Sequence, residues 1–343
     1  MAYRSQKTFF KTTTALASAS ALFLTAPAVA NGVSLNYDSL ASLEEPLATE
    51  IGDVTLSLNG LLDMPLSLDF ENDDDFDIGF IGNYQVSAET QLDNRWTVGV
   101  AYFGQYETDQ GSFDAGYTDN VAGFIGGVWG TVLGGNVNGV VREETRRLRG
   151  VGNGALSFDD MYGGFDDLGG AYVGRYGPAL LSAVVDEEGN FDLGGSWSRP
   201  IGNKDYRLTV RYTNAEFTSA DLTTQFDTHG VGLVGEFIYG SSLFDLGLGF
   251  EDLSSSAVDA ERWFASIGAR HKVGALTLSA EGHYGDVDGD TEVSAAFGAQ
   301  YDIARGLSLN LGVNHSDALL TTGGVTLVSE KETKGILSLR YSF

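Results

Sequence analysis

The feature that most restricts what this chain can fold into is an alternation of apolar and polar residues that runs from Val54 to the last residue. There, Leu337-Ser338-Leu339-Arg340-Tyr341-Ser342 stops on Phe343. Successive side chains on a strand point to opposite faces, so each alternating segment predicts a strand with one apolar and one polar face. A strand at the end of a sheet still has an edge to satisfy, and closing the sheet into a barrel abolishes edges.

Between Val54 and Phe70, the row Leu56, Leu58, Leu62, Met64, Leu66, Leu68 alternates with Thr55, Ser57, Asn59, Asp63, Ser67 and Asp69. Between Phe76 and Leu92, Ile78, Phe80, Tyr84, Val86 and Ala88 alternate with Asp77, Asn83, Gln85, Ser87 and Glu89. Similar segments recur near 96–106, 120–129, 131–136, 169–176, 179–186, 190–199, 205–214, 226–239, 242–252, 261–272, 275–284, 291–302, 306–315 and 334–343. That makes sixteen strands, an even number.

Alternation alone does not separate a soluble sandwich from a membrane barrel, whose apolar face points to lipid. Two patterns favour the barrel. Tight connections at 93–95, 177–178, 200–204, 240–241, 273–274 and 303–305 alternate with longer ones near 107–119, 137–168, 215–225, 253–260 and 316–333. Aromatics also gather at the ends of the apolar rows. Trp96, Trp129, Tyr176, Trp197, Tyr239, Phe244, Tyr301 and Phe343 stand at the short-turn end, and Phe70, Phe76, Tyr106, Phe250, Trp263 and Tyr284 at the other. Amphipathic rings prefer the headgroup level on both sides of an aliphatic band. The expected fold is therefore all-β, a sixteen-stranded antiparallel transmembrane β-barrel.

The first thirty residues read as a cleaved export leader. Arg4, Lys7 and Lys11 precede a short apolar stretch, and Ala28-Val29-Ala30 supplies the cleavage pattern. Residues 31–52 read as a periplasmic extension and 53–343 as the barrel. Three of the 20 Lys+Arg lie in the leader, which leaves 17 against 47 Asp+Glu, a formal charge of −30. Such a charge argues against nucleic acid as a partner. The chain has no cysteine, which excludes disulfides and thiolate chemistry.

The opposite face of each strand is polar: Arg207, Thr209 and Arg211; Thr277, Ser279, Glu281 and His283; Ser308, Asn310 and Asn314; Ser338, Arg340 and Ser342. Sixteen strands enclose a space too wide for their own side chains to fill, so a polar interior predicts a water-filled passage. The longest interruption of the strand pattern is 137–168, where Val140 to Arg149 reads as two or three helical turns of mixed charge. A loop of that length inside a compact barrel is usually functional or disordered.

In its leader, its opening strand Gly52-Asp53-Val54-Thr55-Leu56 and its strand count, the chain resembles the general porins of Gram-negative bacteria. So do the long third loop after Gly134-Gly135-Asn136, the strand-turn Arg175-Tyr176-Gly177-Pro178 and the terminal Tyr341-Ser342-Phe343. The resemblance implies an outer-membrane homotrimer in contact with lipid and lipopolysaccharide, inserted by the barrel-assembly machinery through Phe343. It also implies a third loop folded into the lumen, with acidic loop residues facing a basic wall. On this sequence the loop acids would be Glu143, Glu144, Asp159 and Asp160, and the wall would be Arg207, Arg211, Arg340 and Arg175. The loop departs from that pattern by also carrying Arg142, Arg146, Arg147 and Arg149.

The expected activity is passive diffusion of small hydrophilic solutes and ions, without catalysis or cofactor. Inward acids (Asp63, Asp69, Asp77, Glu89, Glu236, Asp245, Glu251, Glu281, Glu292) slightly outnumber inward bases, which predicts a mild cation preference. The rivals are a solute-specific channel, an outer-membrane enzyme and an adhesive barrel. Against the enzyme, no nucleophile motif accompanies the four histidines. The acidic runs 71–75 and 286–290 are candidate Ca²⁺ ligands through oxygen, although the second lacks the downstream glutamate of an EF-hand loop.

Overall fold

The computed structural model describes residues 47–71, 76–108, 115–137, 139–148, 150–163, 168–220, 224–256, 258–322 and 324–343. The leader, residues 31–46, Arg149 and most of the acidic run at 71–75 lie outside them.

The described chain is a single antiparallel sheet. Its strands are β1 (Leu47–Ile51), β2 (Val54–Asp69), β3 (Phe76–Ile78), β4 (Ile81–Gln91), β5 (Thr97–Thr108), β6 (Ala115–Gly127), β7 (Gly130–Asn136), β8 (Leu168–Tyr176) and β9 (Ala179–Asp186). They continue as β10 (Phe191–Ile201), β11 (Lys204–Thr218), β12 (Gln225–Tyr239), β13 (Ser242–Ser254), β14 (Asp259–Val273), β15 (Leu276–Val287), β16 (Asp290–Ala304), β17 (Leu307–Thr322) and β18 (Val325–Ser342). Each pairs with the next, and β18 returns to β2 through Lys334↔Asp69 to Ser342↔Leu61, so the sheet closes.

β3 and β4 are one strand interrupted at Gly79-Phe80, since both pair with β2. The break lies against Pro65, whose carbonyl accepts from the Gly79 N–H at 2.8 Å. A proline in a strand has no N–H to give the ladder, and a bulge in the partner accommodates it. Counted so, and with β1 set aside, the barrel has sixteen strands. β1 pairs with the first residues of β2, on the same edge that β18 occupies further along. Phe343 sits between them, exchanging two backbone hydrogen bonds with Gly60 at 2.7 and 3.0 Å. The last residues of the expected extension are thus a strand that continues the wall.

The two faces sort as their chemistry requires. On β17, Leu309, Leu311 and Val313 are exposed while Ser308, Asn310 and Ser316 are buried. Leu246 is 49% exposed and Ile267 63%. An apolar band of this extent, ringed by exposed Trp96, Trp197, Tyr239, Phe244 and Tyr301 at one end and Phe76, Phe250, Trp263 and Tyr284 at the other, is a membrane-facing surface.

One expectation needs correction. The connections near 253–260 and 316–333 are not long loops, because β13, β14, β17 and β18 continue beyond the band to Ser254, Asp259, Thr322 and Val325; β11 and β12 likewise take up 215–218 and 225. There the alternation inverts. Asp227, Asp252, Glu261, Asp286 and Asp317 take the outer row, and Phe226, Leu253, Ala260, Val287, Ala318 and Leu320 take the inner one and pack together. Outside lipid the polar row belongs in water, so the same period of two carries the opposite polarity. At the β15–β16 hairpin, Asp288 and Gly289 both hold positive φ, 52° and 97°, as a two-residue turn of the favoured hand demands.

Candidate functional site

The third long connection holds the short helix α1 (Val140–Thr145), well short of the expected two or three turns. Its Val140 and Val141 pack with Val137 against Phe124, Leu133, Ala171 and Val184 of the inner wall. Beyond α1 the chain runs as an irregular strap that hydrogen-bonds to one strand after another. Arg207 of β11 donates to the Arg146 carbonyl at 2.8 Å, and the Leu148 N–H donates to Glu236 of β12 at 3.1 Å. The N–H groups of Gly150 and Val151 donate to Glu281 and Ser279 of β15 at 2.8 and 2.9 Å. Ala155 donates to Asn314 of β17 and Ser157 to Ser294 of β16, both at 2.9 Å, and Asn153 to Ser338 of β18 at 3.0 Å. These partners belong to the row opposite the exposed apolar one. A strap without regular structure has to satisfy its backbone groups, and the serine, asparagine and glutamate side chains of the inner wall do so.

The wall makes room for it. A β-carbon at Gly298 would collide with the Val151 carbonyl, and one at Gly312 with the Asn153 backbone. Glycine at these two positions lets the strap lie flat on the sheet.

Charge completes the attachment in three clusters. Arg147 of the strap is paired with Asp245 of β13 at 2.9 Å and with Glu281, all nearly fully buried. Asp160 lies between Arg142 of α1 and Arg211 of β11, the latter at 3.0 Å, and Arg211 also binds Asp192 of β10 at 2.7 Å. Burial alone would raise the Asp160 pKa, but Arg142 and Arg211 together hold it well below the ordinary carboxylate range.

The third cluster centres on Arg262 of β14, which is wholly buried. Its guanidinium binds Glu292 at 2.7 and 2.9 Å and Glu251 at 3.1 Å. It also donates to the carbonyls of Phe158 at 2.6 Å and Asp160 at 2.8 Å. The rings of Tyr162 and Phe264 lie 3.8 and 4.4 Å from it. Two carboxylates, two carbonyls and two rings leave the cation no unmet bonding capacity. His283 reaches the same Glu292 at 3.0 Å and receives Ser266 on its other nitrogen at 2.8 Å. Above this cluster Phe158 and Tyr162 join the apolar residues of the inverted rows, with Tyr162 stacked on Phe217 at 4.9 Å.

The residues expected at the site are thus placed as follows. Arg142, Arg147, Asp160 and Arg211 belong to the clusters above, and Asp159 lies 3.8 Å from Arg147. Glu143 pairs with Arg146 on α1. Arg207 binds Glu236 at 2.5 Å, and Arg340 binds Asp63 at 2.6 Å and Asn153 at 3.0 Å. Glu144 is half-buried. Burial raises its pKa, and the nearby charges of Arg175 and Arg207 pull it back. Arg175 is exposed at the end of β8.

Arg207 and Arg211 lie on the wall that carries the strap and bond to it, at the Arg146 carbonyl and at Asp160. Arg262 and Asp192 were not singled out from sequence, although Arg262 falls on the inner row by parity with Phe264 and Ser266. Asp286, Asp288 and Asp290 spend carboxylate oxygens on backbone N–H groups of their own and neighbouring turns. Among the described residues no cluster of three or more His, Asp or Glu is arranged to hold a metal.

No family model and no curated protein matches the sequence. Solved structures do match the fold. The anion-selective porin from Comamonas acidovorans superposes with a TM-score of 0.62 at 13% identity, over 84% of this chain and 100% of that one. A variant of the Rh. blastica porin gives 0.56 at 20% identity, again over 84% and 100%. The chain has the sixteen-stranded porin fold. OmpT, an outer membrane protein of Vibrio cholerae solved in a trimer form, gives 0.59 at 13% identity over 84% and 99%.

Proposed function

We propose that the protein is an outer-membrane porin, a homotrimer through which small hydrophilic solutes and ions diffuse passively. The observation that carries this is the barrel itself: sixteen strands, apolar outside and polar inside, with a strap held along the inner wall. In this reading residues 140–163 fold into the lumen and narrow the passage, and Arg142, Glu143, Glu144, Arg146, Arg147, Asp159, Asp160, Arg175, Arg207, Arg211 and Arg340 set the electrostatics of the waist. Arg149 belongs to the same segment. Solutes are sorted by size at the waist and by the charge of its lining.

Two observations support a fixed constriction over a swinging gate. Eight successive strands, β11 to β18, each contribute a side-chain bond to α1 or the strap. Arg147, Arg211 and Arg262 bind their carboxylates in buried surroundings, where removing one partner costs several kcal/mol.

Single-channel recording of the refolded protein in a planar bilayer tests the reading. Large ohmic steps arriving in threes are expected. A folded barrel that leaves the membrane silent would sink it, and saturable block by one solute class would favour a solute-specific channel instead.

A further inference from the structure

The distribution of charge around the ring is lopsided. Between Lys11 and Arg142 the chain contains a single basic residue, Arg95, and that one lies in the turn between β4 and β5. The strands β2 to β7 therefore carry no Lys or Arg at all. Their inner rows instead hold Ser57, Asn59, Asp63 and Ser67 on β2, then Asn83, Gln85, Ser87 and Glu89 on β4, and Gln105 and Glu107 on β5. On the other side of the ring the arginines are numerous, and most of those facing inward are matched. Arg142, Arg147, Arg207, Arg211, Arg262 and Arg340 each lie within ion-pair distance of a carboxylate. The side-chain hydrogen bonds and ion pairs described for the strap reach β11 to β18, and none reaches β2 to β5.

We propose that the conduction path runs between the strap and the β2–β5 wall, and that Glu89 and Glu107 on this wall make it a passage for cations, small organic amines included. The inference rests on the pore reading above and specifies its selectivity. An arginine held against a carboxylate is a short dipole whose field falls off within a few ångströms, whereas an acid with no base on its own or either neighbouring strand keeps its full charge. In a narrow passage with low-dielectric walls such charges concentrate counter-ions and exclude co-ions. Glu107 stands towards the loop end of β5 and Glu89 towards the short-turn end of β4, so one acid faces each entrance. Between them β4 presents the amides and hydroxyl of Asn83, Gln85 and Ser87, which can replace part of the hydration shell of a passing ion, and β5 adds Gln105 beside the apolar Phe103 and Ala101. No Lys or Arg stands on β2 to β5, so this wall lacks the feature that would admit anions.

The test is reversal potential under a KCl gradient, with the wild-type chain, the Glu89→Gln/Glu107→Gln double variant and Asp252→Asn, an exposed acid on the outer row, as control. The proposal expects a cation-selective wild type, a fall of about threefold in the cation-to-anion permeability ratio for the double variant, and no change for the control. An unchanged ratio in the double variant, or an anion-selective wild type, overturns the proposal while leaving the porin reading intact. A silent wild type instead defeats the porin reading. Should the double variant fail to fold, Ser87→Cys in this cysteine-free chain decides the matter. A cationic methanethiosulfonate reagent should modify it about tenfold faster than an anionic one, because the local concentration of each reagent follows the wall potential. Equal rates would overturn the proposal.

Discussion

Arg262 shows how much a single side chain can be asked to hold. Its five N–H groups are shared among two glutamates of the wall and two carbonyls of the strap, at zero solvent exposure. Arg262→Leu keeps bulk but leaves Glu251 and Glu292 as uncompensated buried charges. It should lose about 3–5 kcal/mol, read as a lower midpoint in urea unfolding of the refolded barrel. Converting both glutamates to glutamine in the same variant should recover part of that loss.

Asp160 gives the corresponding pH dependence. Its folded pKa is depressed by Arg142 and Arg211, so its contribution is complete above the unfolded-state value and lost only as pH falls through the folded one. The part of the protease protection of residues 140–163 that Asp160 supplies, wild type minus Asp160→Asn, should therefore stay level from neutral pH down to about 4, the ordinary aspartate range, and fade below it. A difference already fading well above that range would contradict the assignment.

At the scale of elements, the strap and the wall are made for each other. α1 is too short to stand alone, since isolated helices under about 12 residues are marginal in water; its stability comes from Val140 and Val141 on the wall. The strap beyond it has no regular hydrogen-bonding pattern and borrows one from the inner row. The pairing Asn153–Ser338 is a convenient probe, because the side chains meet at 3.0 Å across 185 residues of sequence. Asn153→Cys/Ser338→Cys should cross-link on oxidation and leave conductance unchanged. Failure to cross-link, or a large rise in conductance before oxidation, would show that the strap does not rest there.

For the whole molecule, the direction of every strand face is set by its solvent. Ile267→Arg places a charge on the exposed apolar band and should cost about 2–4 kcal/mol, measured by equilibrium unfolding into lipid vesicles. Asp317→Asn, on the outer row beyond the band, should cost little, because its pair with Lys331 is an exposed one at 3.7 Å. The same row of the same sheet thus answers differently on either side of the headgroup level.

That inversion also marks the limit of what could be read from the chain. The positions of the strands were legible to within a few residues, because a period of two is a local signal that pairing merely ratifies. The hairpins of β11 to β18 were not. Past the band their apolar row turns inward, and a reader following lipid-facing residues takes the reversal for the end of the strand.

The sequence by itself determined the strands, their sixteenfold count, which row faces lipid and the presence of a long, charged third loop, all properties carried by neighbouring residues. Only the tertiary structure decided where that charge goes. Arg147 meets Glu281 across 134 residues and Arg340 meets Asp63 across 277. Such meetings depend on the closure of the ring and on its curvature, which bring distant inner rows within a few ångströms of one strap. Alternation gives each side chain a face, but a face does not specify a partner, and in this barrel closure sets Arg147, Arg211 and Arg340 beside carboxylates that the sequence alone does not pair with them.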